Sequence, residues 1–409
     1  MALMKGVPNA GSVFPWRGVA LGAVMSFLVV FSEVYYNSQL APQGISNDFL
    51  AACAMFYLLI ICGVLNPLLK LMSPRLGFSG ADLVVGFAMM LVASAIPSWG
   101  LLQMWVATVT GWRYFAAAEN RWDELFIPYL PEGALVTDPL AIQHLYEGLP
   151  AGEHFPWMSW VQPVCFWFPF FIMMYLCTIS FMVLFRKQWV EHERLAFPMM
   201  QFGNELCKES ATASRVTPFF KDRMVWLGAA IPFVVLSYNG LTVFVPGLNP
   251  MSLTMGISAL RRMAYYHIHL NFPALGFAYL VSLDISLSLW LFHVLSKLQT
   301  GIITLLAGPV LSDMQVLYNA SPIPAHEGFG AMVVLFGFGV WVARKHLGRV
   351  FRIGLMFRKT DEDSREIMSY RAAVWCFILG LVVIISYMHA TGLTYFQSAT
   401  FVLVVMIVF

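Results

Sequence analysis

From Trp160 to Phe185 the chain carries no charged side chain, and comparable apolar runs recur along its length. A helix that crosses the hydrocarbon core of a bilayer takes about 20 mainly apolar residues. Runs of this length without strict two-residue alternation are helical, because lipid offers the backbone no hydrogen-bonding partner. Ten such spans can be read: Trp16–Tyr36, Phe49–Leu69, Ala81–Pro97, Trp160–Phe185, Met224–Val245, Phe272–Ser296, Thr300–Asn319, Gly328–Ala343, Ala372–Thr391 and one opening at Tyr395. The seventh is interrupted by Gly308-Pro309. The fold class expected is therefore all-α, a polytopic transmembrane helical bundle with broken or re-entrant helices.

Composition closes off the alternatives. Charged residues make up 11% of the chain and hydrophobic ones 59%, where soluble domains carry roughly 25% charged residues. A soluble globular enzyme is excluded. The 24 Lys and Arg against 22 Asp and Glu leave a net charge of +2, with no basic excess for nucleic acid. Cysteines stand at 53, 62, 165, 177, 207 and 376, five of them in apolar runs and none in a Cys-x-x-Cys pair, so neither a disulfide framework nor a zinc site is indicated. No Walker loop, Gly-x-Ser-x-Gly or His-Glu-x-x-His occurs, and no cofactor is expected.

Cationic residues set orientation. Residues 186–223 hold seven Lys or Arg and 344–371 hold eight, whereas 112–159 hold two against seven acidic residues. The first two segments are expected as cytoplasmic loops and 112–159 as an extracytoplasmic cap, inserted in one transmembrane domain spanning 1–409. Ten alternating crossings from a cytoplasmic N-terminus in the cytoplasmic (inner) membrane satisfy all three. The wholly apolar end, Phe401–Phe409, predicts that the chain is the N-terminal part of a longer protein.

Polar residues inside the spans nominate a site. In the first span Gly18, Gly22 and Ser26 form a small-residue stripe that admits a neighbouring helix, and Glu33 follows near the same face. Glu33 reads either as a proton or substrate site or as a hydrated carboxylate at the helix end. The sixth span is richer. On a continuous helix Tyr279, Ser282, Ser286, His293 and Ser296 share one stripe, with Asp284 and Ser288 opposite. The alternation Ser282, Asp284, Ser286, Ser288 also permits an unwound stretch, the device by which transporters build midplane sites. An Asp about thirteen residues into such a span binds a proton or a cationic group, or is held structurally by neighbouring hydroxyls. Asn239 and Glu33 are candidate partners from other spans. The break Pro97-Ser98-Trp99-Gly100 precedes a stretch too short to cross, so 97–111 is expected as a re-entrant or interfacial turn, with Gln103 placed to reach substrate and Ser98 behind it. His267 and His269 lack a third ligand and read as a loop pair, and no metal site is expected.

Two segments resemble the oligopeptide transporter (OPT) superfamily: Glu193-Arg-Leu-Ala-Phe-Pro-Met-Met-Gln-Phe, and the sixth span with its Gly276-x-x-Tyr-Leu-x-x-x-Asp-x-Ser pattern. Leu280 stands where that superfamily carries Pro, and Asp284 near its usual Asn. The chain as a whole resembles an uncharacterised bacterial family of large multi-pass proteins distantly allied to OPT. The pieces that carry this are Phe14-Pro-Trp-Arg-Gly, Leu65-Asn-Pro-Leu-Leu, Met89-Met-Leu-Val-Ala-Ser-Ala-Ile-Pro-Ser, Glu119-Asn-Arg-Trp-Asp-Glu-Leu-Phe and Gln188-Trp-Val-Glu-His-Glu-Arg-Leu-Ala-Phe-Pro. The resemblance implies an OPT-like fold and transport.

The function expected first is secondary transport, proton-coupled, of a peptide-like or other small polar solute. A non-transporting scaffold or complex subunit is the alternative, and a membrane-embedded transferase using Glu119, Asp123 or Glu124 the third. A transporter expects a polar cavity at Asp284, a scaffold a solid interior, and a transferase a cavity at the cap. The partners expected are the small polar solute and the lipid bilayer. Self-association into a homo-oligomer stays open.

Overall fold

In the computed structural model the described residues are 14–39, 51–195, 197–212, 214, 216–245, 247–259, 264–307, 322–356, 363 and 366–408. Among them the chain is helical apart from one antiparallel hairpin. In order the helices are α1 (Trp16–Gln39), α2 (Ala52–Ile60), α3 (Asn66–Met72), α4 (Gly80–Ser94), α5 (Met104–Tyr114), α6 (Trp122–Leu125), α7 (Pro139–Glu147), α8 (Met158–Lys187), α9 (Pro198–Ser210) and α10 (Arg223–Phe244). The hairpin β1 (Thr254–Ala259) and β2 (Ala264–His269) follows, then α11 (Phe272–Leu280), α12 (Leu283–Ala307), α13 (Pro322–Leu355), α14 (Tyr370–Ala390) and α15 (Tyr395–Val408).

Seven helices of the described residues are long and apolar enough to cross a membrane, and α4 and α15 are apolar but shorter. The chain is a membrane protein of the all-α class, the one hairpin aside. It departs from the expected spans in three places. α4 stops at Ser94 rather than Pro97, and its 15 residues cover about 22 Å, short of a bilayer core. The stretch read as one span over Phe272–Ser296 is broken at Val281–Ser282 and then runs unbroken past Thr300 to Ala307. The boundary expected at 296–300 is absent, and most of the span expected at Thr300–Asn319 lies outside the described residues. Finally, α13 continues to Leu355, so the segment expected as a loop from Arg344 opens as helix.

Contacts divide the chain into two compact units, Met1–Trp105 with Ala196–Ile302, and Val106–Leu195 with Ile303–Phe409. In the first, α1 lies against α4. A Cβ on Gly18 would stand 2.6 Å from the Asp82 Cα, and one on Gly22 would stand 2.5 Å from Met89 Sδ, so the small-residue stripe is what lets the two backbones meet. Arg17 reaches the carbonyls of Arg75 and Leu76 and lies over the Phe78 ring, tying the turn before α4 to α1. α2 passes through a π turn at Ile61–Leu65 before α3. Pro67 has no N–H to give, and its ring crowds the preceding turn, which accounts for the widened coil there. Asn66 is buried beside it and holds α9: its amide donates to the Ser210 carbonyl (3.1 Å) and hydroxyl (2.9 Å), and its Oδ1 accepts from Phe78 N–H. α9 also packs Gly203 onto the Phe87 ring, where no side chain would fit.

In the second unit α14 packs on α8 and α13. Gly380 faces Cys177 and Gly354 faces Val374, each too close for a Cβ. Tyr370, Val183, Leu184, Ala343, Val350 and Val374 form its buried core. Gly392, at φ +109°, turns the chain from α14 into α15 in a conformation that L side chains rarely adopt. Residues 112–159 fold as short helices above α8. Val136 N–H bonds the Val109 carbonyl, and Trp167 Nε1 bonds the Ala134 carbonyl, so this small domain is fastened to α5 and α8.

Candidate functional site

Every residue nominated for a transport site falls in the first unit, and Glu119, Asp123 and Glu124 fall in the second. The break between α11 and α12 is the centre of the group. Val281 takes an extended conformation (ψ 144°), and the Ser282 carbonyl accepts the first α12 hydrogen bond from Ser286 N–H at 3.0 Å. Ser282 thus stands at the N-cap, a position that favours Ser, while Asp284 stands in the first turn, where the exposed N–H groups favour an acidic side chain. The Ser-x-Asp-x-Ser pattern breaks the helix because these side chains compete for the backbone.

This placement changes the expected stripe. Tyr279 sits on α11, 89% exposed, out of phase with the α12 residues. Ser286 and His293 remain on one face of α12. Asp284 and Ser288 lie on another, where the Ser288 hydroxyl donates to the Asp284 carbonyl at 2.8 Å. Among the described residues no hydroxyl of Tyr279, Ser282 or Ser286 bonds the Asp284 carboxylate, which is exposed between Leu283 (87%) and Ile285 (54%). His293 is exposed, with its ring edge-on to Tyr266, centroids 6.4 Å apart.

The other nominated residues are placed separately. Glu33 is fully buried, 0% exposed, in the α1 face that carries Val29. Near it Ser32 Oγ and Tyr57 OH share a 2.6 Å hydrogen bond, and Cys53 Sγ reaches the Val29 carbonyl. Asn239 is committed to the backbone: its amide donates to the Met251 carbonyl (3.1 Å) and its Oδ1 accepts from Met251 N–H (2.8 Å), clasping the chain before the hairpin to α10. Gln103 closes the turn expected at 97–111, where α4 ends, a π turn forms at Trp99–Gln103 and α5 follows; its Nε2 donates to the Pro97 carbonyl at 3.2 Å. Ser98 bonds the Ala95 carbonyl in the same turn. His269 pairs with Thr254 across the hairpin, and no group of three His, Cys, Asp or Glu fit for a metal occurs among the described residues.

Two buried carboxylates escaped the sequence reading. Asp82, 6% exposed, accepts from Gly18 N–H and from both the N–H and hydroxyl of Ser79. Its signal was available as Ser79-x-x-Asp82, a capping box before an apolar run. Glu366 has a side chain 1% exposed and pairs in two bonds of 2.5 Å with Arg186. Their separation in sequence left no local sign of it.

The second unit holds a cavity of about 500 Å³ between α5, the 112–159 domain, α8 and the end of α14. Its walls include Trp112, Phe115, Trp122, Phe126 and Trp167. Glu119, Asp123 and Glu124 are exposed and do not line it; Asp123 pairs with Arg113 at 3.4 Å and Glu124 with Arg121 at 2.5 Å.

A family of unknown function, DUF6785, matches residues 8–409. The chain belongs to that family. No curated protein and no solved structure matches it. The chemistry open to this DUF6785 member is therefore read from its own side chains: a carboxylate in the first turn of α12, a second carboxylate buried in α1, and an aromatic cavity beside the 112–159 domain.

Proposed function

We propose that the protein is a secondary transporter of a small polar, peptide-like solute, driven by protons, with an OPT-like organisation. The observation that carries this reading is the break at Val281–Ser282, which sets Asp284 in the first turn of α12 within an apolar stretch. α12 is long enough to cross a membrane by itself, so the break and Asp284 stand where that span opens, and irregular backbone between two apolar helices is the device by which transporters build sites. The α12 N-terminus offers N–H donors to a carboxylate, and Asp284 offers a carboxylate to an ammonium group. A zwitterionic solute carries both. Glu33 supplies a second carboxylate, fully buried in the apolar span of α1, the kind of position that is functional by default.

The cavity beside the 112–159 domain is a specific point in favour of a lipid-substrate transferase. Its walls carry no carboxylate, and two of the three acidic residues nearby are held in ion pairs. It supports binding better than catalysis. The experiment that separates the readings is uptake of labelled di- and tripeptides into proteoliposomes under an inward proton gradient. Accumulation that collapses with a protonophore supports the carrier; no accumulation of any member of the panel, with turnover of a lipid-linked substrate instead, supports the transferase.

A further inference from the structure

We propose that the face of α12 carrying Ser286, His293, Ser296, Lys297 and Thr300 lines a water-filled path through the membrane, and that Lys297 on it binds a carboxylate group of the transported solute. The identity of the solute rests on the carrier reading above; the polar face rests on the fold. Because α12 runs unbroken from Leu283 to Ala307, these residues fall on one side of a single helix. Leu287, Leu291, Leu295, Leu298 and Ile302 fall on the side opposite. A helix able to span a membrane thus carries an apolar stripe and a polar one, and Asp284, in its first turn, stands off the polar stripe.

Lipid does not cover the polar stripe. His293 stands ten residues after Leu283, about 15 Å along the helix and near the middle of a bilayer core about 30 Å thick. There its ring meets Tyr266 of β2 edge-on, centroids 6.4 Å apart, so the hairpin lies beside α12 at that level. Among the described residues the sheet has two strands, which leaves each strand one edge without a ladder partner. Open sheet edges do not occur in hydrocarbon, so water or protein fills the space beside them. Charge decides for water and an anion. Lys297 follows His293 by one turn, and among the described residues no acidic side chain pairs with either. A helix packed there would have to bring a carboxylate to Lys297, whereas a solute with a free carboxyl group brings its own. Helical side chains lean toward the helix N-terminus, so the Lys297 stem leads toward His293 and mid-depth, away from the nearer end of the span at Leu306. That geometry opposes snorkelling to the near interface and keeps the ammonium at a depth where cations face a watery cavity or an anion.

The test uses the full chain in proteoliposomes, with single substitutions Ser286→Cys, Ser296→Cys and Thr300→Cys on the polar stripe and Leu291→Cys, Leu295→Cys and Leu298→Cys opposite. Each is treated with a membrane-impermeant charged maleimide, and labelling is read on α12 peptides, which contain no native cysteine. The thiolate is the reacting species, and it forms in water rather than in hydrocarbon, so the polar stripe should label about tenfold faster or more. Dialanine slows the labelling of Thr300→Cys, one turn from Lys297, and dialanine amide, which lacks the carboxylate, does not. Adding Lys297→Gln raises the dialanine concentration for half protection about tenfold, as expected for one lost charge-assisted hydrogen bond, and Lys297→Arg retains protection. Equal labelling of the two stripes overturns the path. No protection by dialanine, equal protection by its amide, or unchanged protection in Lys297→Gln overturns the carboxylate site. None of these readings needs driven uptake: labelling and protection without proton-driven uptake would support the site and overturn the carrier reading alone.

Discussion

The Gly18 N–H donates to Asp82 Oδ1 at 3.0 Å, and at that approach no side chain fits on residue 18. One contact thus does two jobs: it seats α1 on α4, and it gives Asp82 Oδ1 a donor where Ser79 serves only Oδ2. Gly18→Leu is expected to separate the helices, costing about 1–3 kcal/mol by overpacking and more if Asp82 loses its donor. Thermal unfolding in detergent, followed by tryptophan fluorescence, checks this. Gly240→Leu is the control, since a Cβ there meets nothing within 4 Å.

Asn66 holds α9 through Ser210, beside Lys70, which donates to the carbonyls of Ser210 and Thr212. Asn66→Ala leaves buried partners unmatched at a cost of about 1–3 kcal/mol. The loss falls on α9 and the chain after it. Limited proteolysis should show faster cleavage between Ser210 and Thr217, while cleavage in the second unit is unchanged.

The sequence showed its spans more clearly than its breaks. Composition and run length alone marked the long apolar helices, because the bilayer enforces them. The break at Val281–Ser282 was readable only as an option, since one continuous helix and two separate ones share the same residues and differ in whether Ser282 caps. Gln103 and Pro97 were legible as a turn because Pro-Ser-Trp-Gly is a local signal. Asn239 looked like a site residue because a polar side chain in a span is costly; what it bonds, Met251, depends on where the following loop folds back. The aromatic cavity was not legible at all, as its walls come from residues 107 to 391 and only packing joins them.

The Ser159 hydroxyl, bonded to Asp138 at 2.6 Å, holds that carboxyl below the usual carboxylate range, assisted by the N–H groups of Leu140 and Ala141 and by the nearby His144. Because the folded state binds the proton less readily than the unfolded chain, this contact stabilises at neutral pH, and its contribution is lost as pH falls from about 4 through the folded value. Asp138→Asn should lower stability slightly at pH 7 and flatten the acid limb of a pH–Tm curve. An unchanged acid limb would assign that limb to other carboxylates.

Glu366 is buried against Arg186, with Glu191 the guanidinium's other acidic neighbour at 3.7 Å. Glu366→Ala removes both short bonds. Arg186 is partly exposed, so water recovers some of the loss, and about 1–3 kcal/mol is expected. In a double-mutant cycle with Arg186→Met, the two substitutions should be non-additive by most of that amount.

Asp284 carries the central claim, that a carboxylate at the broken α11–α12 helix drives transport. Asp284→Asn keeps the side chain's shape and removes its charge. The decisive measurement is the initial rate of proton-driven peptide uptake in proteoliposomes, wild type against Asp284→Asn, at matched insertion. The account expects uptake to fall to the protein-free background in the variant while expression and insertion are unchanged. A wild-type rate in Asp284→Asn would contradict it and leave Asp284 as a helix-terminal residue only.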